Sequence, residues 1–212
     1  LRGDKRNCTR KYSINYEVFN HINLHSAYWA GFIAADGHIT DGYQIMIKLA
    51  RKDKSHLIAL KKFLQYSGPI KDFIAHTSFG SFEQSELCIQ SVSLSKALNI
   101  NFKIPFGNKS FKIKLPNLKD KYLLHFIAGY FDGDGCVYWS KKKHLTITFV
   151  SNKIILKQIR DFLNRYFNIY TSMPYQNVKC SEAQMYRIHG VKAQKILKAF
   201  NKNPNRLKRK KK

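Results

Sequence analysis

The chain has 212 residues, 44% of them hydrophobic, and its 38 Lys and Arg against 13 Asp and Glu give a net charge of +25. A compact body with this charge repels itself unless a polyanion neutralises it, so nucleic acid is the expected partner and a generically basic protein, such as a ribosomal one, is the simpler alternative. The hydrophobic and aromatic content is enough for one sizeable core or two small ones and argues against a disordered basic tail protein.

Four cysteines are spread along the chain, and no two of them have the CxxC spacing of a zinc site. They are expected to be reduced thiols, which favours an intracellular, reducing compartment: the cytoplasm or nucleoid, or an organelle in a eukaryote. No signal peptide is visible and no run approaches the ~20 apolar residues of a membrane span, so we expect no membrane partner.

The first 100 residues predict a basic arm followed by one small domain. Residues 1–20 are basic and weakly patterned, and we expect them to be irregular. From residue 21 to 100 the spacing of apolar residues predicts helices and half-buried strands. In chain order these are a helix over 26–35, a strand over 43–49, a helix over 52–64 capped by Asp53, strands over 69–78 and 85–91, and a helix over 92–98.

The second half, residues 121–200, repeats this order after a linker over 101–120 that contains Pro105, Gly107 and Pro116. Its predicted elements are a helix over 124–133, a strand over 144–150, a helix over 152–163 capped by Asn152, strands over 168–178 and 184–190, and a helix over 191–197. A tail over 201–212 follows. Six of the seven residues from 206 to 212 are basic, and we expect this stretch to be disordered.

The first helix of each half ends in a similar motif, WAGFIAADG (29–37) or IAGYFDGDG (127–135), which places Asp36 and Asp134 98 residues apart. Both motifs carry an Ala-Gly pair, and small residues let two helix backbones approach closely. We therefore expect the two helices to pack against each other about a pseudo-two-fold axis, which would bring Asp36 and Asp134 together.

Two close carboxylates repel each other unless they share a proton or a cation, and Mg²⁺ prefers such hard oxygen ligands. The simpler alternative for a single copy is that Asp-Gly after a helix is an ordinary turn. Asp132 is not part of the predicted pair, because Ala34 stands at its position in the first motif, and we interpret Asp132 as a local cap.

The segments AYWAGFIAADGHI (27–39) and LLHFIAGYFDGDGCVYW (123–139) resemble the motifs of the LAGLIDADG homing endonucleases, in the monomeric form with two motifs in one chain. The resemblance covers nearly all of residues 12–200. It implies an α+β fold of two pseudo-symmetric αββαββα halves, packed through their first helices, with antiparallel β-sheets that form a DNA-binding saddle. It also implies a Mg²⁺-dependent (or Mn²⁺-dependent) endonuclease of intron homing, which cuts both strands of a long, non-palindromic DNA target.

The same resemblance assigns candidate catalytic residues. Asp36 and Asp134 would supply metal-binding carboxylates, and Ala35 and Gly133 would offer backbone carbonyl oxygens to metal. Many members have a lysine near the scissile phosphate, in the strand before the last helix of each half. In this sequence Gln90 and His189 stand at that position instead, and Arg51 stands before the second helix of the first half. These three residues are the candidates for water-positioning or charge-stabilising groups.

The outward faces of the predicted strands are polar and moderately basic, as a surface that reads base edges would be. The candidate DNA contacts on these faces are Gln44, Met46, Lys48, Thr146, Thr148, Arg187 and His189. Lys141 and Lys142 lie in a predicted turn and are expected to contact phosphates rather than bases. For any single one of these residues, an ordinary solvated sheet face is the alternative.

Two other functions fit the same fold: an RNA-binding maturase that helps an intron to fold, and a catalytically inactive DNA-binding protein. The two retained acids favour cleavage, because a protein that only binds nucleic acid has no need of a close carboxylate pair. An intein domain is disfavoured, because position 1 has no splicing nucleophile and the sequence has no terminal His-Asn.

Overall fold

The computed structural model describes residues 11–109, 112–140, 144–176 and 183–211. Both halves have the predicted element order αββαββα, and the fold is α+β. The helices are α1 (Leu24–Asp36), α2 (Lys54–Phe63), α3 (Val92–Phe102), α4 (Asp120–Asp134), α5 (Lys153–Phe167) and α6 (Gly190–Phe200). The strands are β1 (Gly37–Ile39), β2 (Gln44–Ala50), β3 (Lys71–Thr77), β4 (Gly80–Gln90), β5 (Gly135–Trp139), β6 (Leu145–Ser151), β7 (Tyr175–Gln176) and β8 (Gln184–His189).

Each half contains one antiparallel sheet of four strands, and the two sheets have equivalent topologies. Their orders are β1-β2-β4-β3 and β5-β6-β8-β7. In the first sheet, Gly37 pairs with Ile47, which in turn pairs with Leu87. In the second sheet, Gly135 pairs with Phe149. Because each sheet begins directly after a motif helix, the catalytic candidates at the helix ends lie next to the first strand of each sheet.

The motif helices α1 and α4 pack directly against each other, as predicted. Gly31 lies against α4, where a Cβ atom would lie 1.9 Å from the carbonyl oxygen of Phe126. Gly129 lies against α1 in the same way, 1.9 Å from the carbonyl oxygen of Tyr28. No side chain fits at these distances, so the two glycines permit the close crossing that joins the halves.

On the central strands β2 and β6, Ile45, Ile47, Leu145, Ile147 and Phe149 are buried, and Leu49 is partly buried. They form one continuous core with the side chains of the helices, rather than two separate ones. Among the described residues, no helix combines the length and the apolar composition that crossing a membrane requires.

Of the two predicted helix caps, one is confirmed. Asn152 caps α5 by accepting hydrogen bonds from the backbone N–H groups of Ile154 and Ile155. The prediction that Asp53 caps α2 is wrong, since its side chain makes no capping bond. Asp53 instead forms an ion pair with Arg209, at 2.8 Å.

The segment after α6 is not disordered, contrary to the prediction. Residues 208–210 form a turn of 3₁₀-helix. Arg206, Leu207 and Lys210 are all buried, with at most 4% of each residue exposed. Arg206, Arg209 and Lys210 pair with buried acids or carbonyl oxygens, whereas Lys208 and Lys211 are exposed.

Candidate active site

Asp36 and Asp134 are the last residues of α1 and α4, and the crossing of these helices brings them together. Gly133, which precedes Asp134, lies so close to Asp36 that a Cβ atom on this glycine would lie 3.2 Å from Cγ of Asp36. Burial, and next the charge of Asp134, raises the pKa of Asp36 to about 6. Burial also raises the pKa of Asp134. Both shifts have the sign expected of buried carboxylates whose charge nearby cations compensate only in part.

The two acids differ in their hydrogen bonding. The phenol of Tyr130 donates a hydrogen bond to Asp134, which counteracts part of the effect of burial on the pKa of that acid. The phenol oxygen also lies 2.7 Å from Oγ of Ser151. Phe32 stands at the position of Tyr130 in the first motif and has no hydroxyl to offer Asp36. The site is therefore pseudo-symmetric but chemically unequal.

Two lysines that the motif analysis did not select lie beside the acids. Nζ of Lys109 donates to the carbonyl oxygens of Ile33, Ala34 and Ala35, at 3.1, 2.6 and 2.5 Å. Nζ of Lys210 donates to those of Phe131, Asp132 and Gly133, at 3.0, 2.6 and 3.1 Å, and to that of Gly135 at 2.6 Å. The three residues bonded to Lys109 lie 98 positions before Phe131, Asp132 and Gly133. The lysines therefore occupy equivalent places in the two halves.

Burial lowers the pKa of both ammonium groups to about 8, while nearby carboxylates act in the opposite direction. At Lys109 these carboxylates are Asp134 and Asp36. At Lys210 Asp132 contributes more than Asp36. Two cations thus accompany the two acids, and both lysines are mostly protonated at neutral pH.

Sequence reasoning missed these lysines because neither belongs to a motif. Lys109 lies in the linker and Lys210 lies in a run of basic residues. Extending the repeat beyond the last helix does not align them, because Lys109 lies seven residues after α3 and Lys210 lies ten residues after α6.

The donor set fits a hard divalent cation. Asp36, Asp134 and the carbonyl oxygens of Ala35 and Gly133 are all oxygen ligands, which Mg²⁺ prefers. These two carbonyl groups lie at the same ends of the helices as the acids. There they accept hydrogen bonds from the ammonium groups of Lys109 and Lys210. No group of three or more His, Cys, Asp or Glu side chains forms a metal site among the described residues. A cation here would therefore complete its shell with water or substrate oxygens.

Comparisons with known proteins agree with the observed fold. Residues 121–199 match the family model described as a LAGLIDADG-like domain. The structure of I-WcaI bound to its DNA recognition sequence has a TM-score of 0.60 and 14% identity, over 89% of this chain and 86% of that one. Because this match spans both halves, it extends the fold beyond the residues of the family model. Residues 121–199 thus match a LAGLIDADG-like domain, and the whole chain has the fold of two-motif LAGLIDADG proteins.

Two further solved structures support the assignment of the LAGLIDADG fold. I-GzeII in complex with its DNA target has a TM-score of 0.55 and 14% identity, over 90% of this chain and 87% of that one. The N-terminal LAGLIDADG domain of DUF199/WhiA has a TM-score of 0.52 and 17% identity, over 87% of this chain and 81% of that one. No curated protein matches the chain in sequence.

The predicted groups Gln90 and His189 lie away from the acids. Leu87 is level with Gly37 in the first sheet, and Gln90 lies three residues, about 10 Å, farther along the strand. The side chain of Gln90 donates to the carbonyl oxygen of Gly42, at 2.5 Å, in the turn between β1 and β2. The structure therefore does not bring Gln90 to the acid pair.

His189 occupies the corresponding place in the second sheet. It lies three residues past Tyr186, which is level with Gly135 through Phe149. Its Nδ1 shares a hydrogen bond of 2.9 Å with Oγ1 of Thr146. Like Gln90, it is a residue of the sheet face and not of the site around the acids.

Arg51 lies just after β2, where it forms ion pairs with Asp72 and Glu83, at 3.7 and 3.6 Å. Half of its side chain is exposed. The structure thus assigns Arg51 to a surface cluster of opposite charges at the edge of the first sheet, and two acidic partners compete with any phosphate for it.

The predicted DNA contacts differ in exposure. Gln44 and Met46 are partly exposed, and Lys48 is exposed but pairs with Glu86 at 3.2 Å. Thr146 and Thr148 are only 0% and 4% exposed, so the prediction that they face solvent is wrong. They lie on the central strand β6, and the neighbouring strands β5 and β8 supply the accessible side chains.

Arg187 is partly exposed on β8, directly across from Thr148. Its guanidinium group lies 5.9 Å from the ring centroid of Tyr175 and donates to the sulfur of Met185 at 3.0 Å. His189, next but one along the strand, is exposed. Lys141 and Lys142 lie outside the described residues.

Proposed function

We propose that this LAGLIDADG protein is a site-specific, Mg²⁺-dependent endonuclease that hydrolyses both strands of a long, non-palindromic duplex DNA target. The observation that carries the proposal is the buried pair Asp36 and Asp134 at the helix crossing, flanked symmetrically by Lys109 and Lys210. A protein that only bound nucleic acid would gain nothing from holding two carboxylates in this unfavourable proximity.

Duplex DNA is the substrate that the rest of the molecule fits best. The net charge of +25 requires a polyanionic partner, and the two sheets start from the acid pair on either side of it. I-WcaI and I-GzeII were both solved with their DNA targets. Since the two sheets differ in sequence at nearly every exposed position, the two half-sites of the target would differ as well.

Each residue at the site has a distinct part in phosphodiester hydrolysis. Asp36 and Asp134, with the carbonyl oxygens of Ala35 and Gly133, would hold the metal ions. Bound Mg²⁺ supplies Lewis-acid stabilisation of phosphate charge and lowers the pKa of water. Tyr130 orients Asp134 by donating a hydrogen bond to it.

Lys109 and Lys210 add positive charge that does not depend on metal. Their ammonium groups are buried, so their charges act in a medium of low dielectric constant and stabilise a phosphate dianion more strongly than surface lysines would. With one acid and one lysine from each half, the site has the parts for two reactions, one on each DNA strand.

The test is cleavage of DNA that carries the uninterrupted sequence around the gene's own insertion site. Reactions would contain Mg²⁺ or EDTA, with the wild-type protein, Asp36→Asn, Asp134→Asn, and Asp161→Asn as a control at an exposed acid of α5. We expect metal-dependent double-strand cleavage by the wild type and the control, and loss of double-strand cleavage in both site variants with DNA binding retained.

Tight DNA binding by the wild type without cleavage would reject the nuclease and leave a DNA-binding protein. Preferential binding of RNA from the same locus would instead support the maturase.

A further inference from the structure

Asp132, which precedes the metal-binding acid by two residues, is buried at the centre of a cluster that joins three parts of the chain. Its Oδ2 atom accepts hydrogen bonds from the phenol of Tyr28 at 2.6 Å and from Nε of Arg206 at 2.7 Å. It also accepts one from the backbone N–H of Leu207, at 2.8 Å. Asp132 is therefore not a local cap, as the sequence suggested, but an anchor for the segment after α6.

Arg206 connects this anchor to Lys210. Its side chain is fully buried, and its guanidinium group lies 5.6 Å from the ring centroids of both Phe131 and Phe200. A second nitrogen of the same group donates to the backbone carbonyl oxygen of Lys210, at 3.4 Å. The guanidinium thus binds Asp132 on one side and the main chain of Lys210 on the other.

The two halves hold their lysines by different means. The segment around Lys109 is fixed through its main chain: Gly107 donates to the carbonyl oxygen of Ile39 in β1, and Leu115 donates to Gln158 in α5. Ile113, four residues past the lysine, is buried in the core.

Around Lys210, the main chain bonds mostly to itself. The backbone N–H groups of Arg206, Lys210 and Lys211 donate to carbonyl oxygens of Asn203, Leu207 and Lys208, all in the same segment. The ties from this segment to the body of the protein include the bonds to Asp132 and the ion pair of Arg209 with Asp53. Ala34 occupies the place of Asp132 in the first motif and cannot form such a tie.

We propose that Asp132 and Arg206 are positioning residues: they clamp the segment after α6 so that the ammonium group of Lys210 lies at the second motif. A buried ion pair contributes little net stability compared with apolar residues of similar size, whereas it fixes relative positions closely. The clamp gives a positional role to an acid that has no counterpart in the first motif. The effect of the clamp on strand cleavage rests on the proposed function, but the placement of Lys210 does not.

The placement can be tested without any cleavage assay. Lysines would be acetylated with acetic anhydride under native conditions, and the modified positions quantified by mass spectrometry. In the wild type, Lys210 is 3% exposed and should react at least tenfold more slowly than an exposed lysine of α6 such as Lys198. In Asp132→Ala, which installs the residue of the first motif, Lys210 should react at a rate close to that of Lys198, while Lys109 stays protected.

A second variant distinguishes loss of the clamp from unfolding of the whole protein. Asp132→Asn combined with Arg206→Met removes both charges of the pair and leaves an apolar chain between Phe131 and Phe200, so the protein should stay folded. The matched control, Asp120→Asn with Arg165→Met, removes an exposed two-point ion pair elsewhere in the second half. If Lys210 stays protected in the folded clamp variants, the positioning role is wrong.

Cleavage of DNA labelled separately on each strand gives the functional readout. Lys210→Met and both clamp variants should slow cleavage of the same strand by at least tenfold, and Lys109→Met should slow the other strand. Clamp variants that cut both strands at the wild-type rate would overturn the functional part of the inference. A wild-type protein that cuts neither strand would overturn the proposed nuclease instead, while the acetylation result would still decide the placement of Lys210.

Discussion

Gly31 and Gly129 lie at equivalent points of the two motif helices, each in contact with the backbone of the opposite helix. This reciprocal contact fixes the crossing of α1 and α4, and the crossing in turn fixes the separation of Asp36 from Asp134. The packing of two small residues thus determines how close the two acids lie.

Substituting either glycine with alanine should be severely destabilising. Gly31→Ala or Gly129→Ala would place a methyl group 1.9 Å from a carbonyl oxygen, so the helices would have to separate. We expect each to lower the free energy of unfolding by on the order of 3 kcal/mol or more, measured by urea denaturation. Gly42→Ala, where the nearest atom is 3.7 Å away, is the control and should change stability little. Equal effects at all three sites would contradict the close crossing.

Removing the phenol of Tyr130 should weaken one half of the site. In Tyr130→Phe the hydrogen bond that stabilises ionised Asp134 is lost, so the pKa of Asp134 should rise further and cleavage should need a higher pH. Residues that orient metal ligands typically change metal affinity by about 10- to 100-fold. We expect a shift of this order in the Mg²⁺ dependence of cleavage of one strand. Tyr186→Phe, which removes a phenol bonded to Thr171 and distant from the site, should leave the Mg²⁺ dependence unchanged.

The acid pair should make the metal-free protein sensitive to pH. The pKa of Asp36 is raised from 3.8 to about 6, so the folded state holds a proton that the unfolded state releases between these values. This group therefore lowers the free energy of unfolding as pH rises from about 4 to about 6. Burial lowers the pKa of His56 to about 4, which acts in the opposite direction over the same range.

Because these two effects oppose each other, the difference between Asp36→Asn and the wild type is the informative quantity. In EDTA, the variant should gain stability relative to the wild type as pH rises from about 4 to 6, and the gain should level off above that. Saturating Mg²⁺ should reduce this gain in stability, because the cation compensates the charge of Asp36 in the wild type. A stability difference that did not change with pH would show that Asp36 ionises normally.

DNA binding should depend steeply on salt. If the protein neutralises 6 to 10 phosphates, affinity should fall by about 10³- to 10⁵-fold between 50 and 200 mM salt, because bound counterions are released. The measurement is fluorescence anisotropy in EDTA, where cleavage cannot interfere. A loss of less than tenfold would mean that the charge of +25 is not directed at the DNA.

Much of this architecture could be predicted because it is local and repeated. Apolar periodicity predicts the helices and the other strands of each half but not the short strands β1 and β5, and the paired Ala-Gly positions predict the helix crossing. The acids Asp36 and Asp134 stand in a recognisable motif, so their proximity followed from the crossing alone.

The incorrect predictions have a different cause. Thr146 and Thr148 alternate with apolar neighbours as exposed residues would, but burial on a central strand depends on side chains from both adjacent strands. Gln90 and His189 were assigned by matching strands, and only the register shows how far along those strands they lie.

The sequence by itself determined the two-fold repeat, the small residues at the helix crossing and the acid at the end of each motif, since each depends on residues within one short segment. The tertiary structure alone decided that Lys109 and Lys210 join those acids, and that Asp132 pairs with Arg206. These contacts link residues 74 or more positions apart, and their formation depends on the path of the chain after the last helix of each half. No local pattern records that path, because it is set by packing in the assembled core.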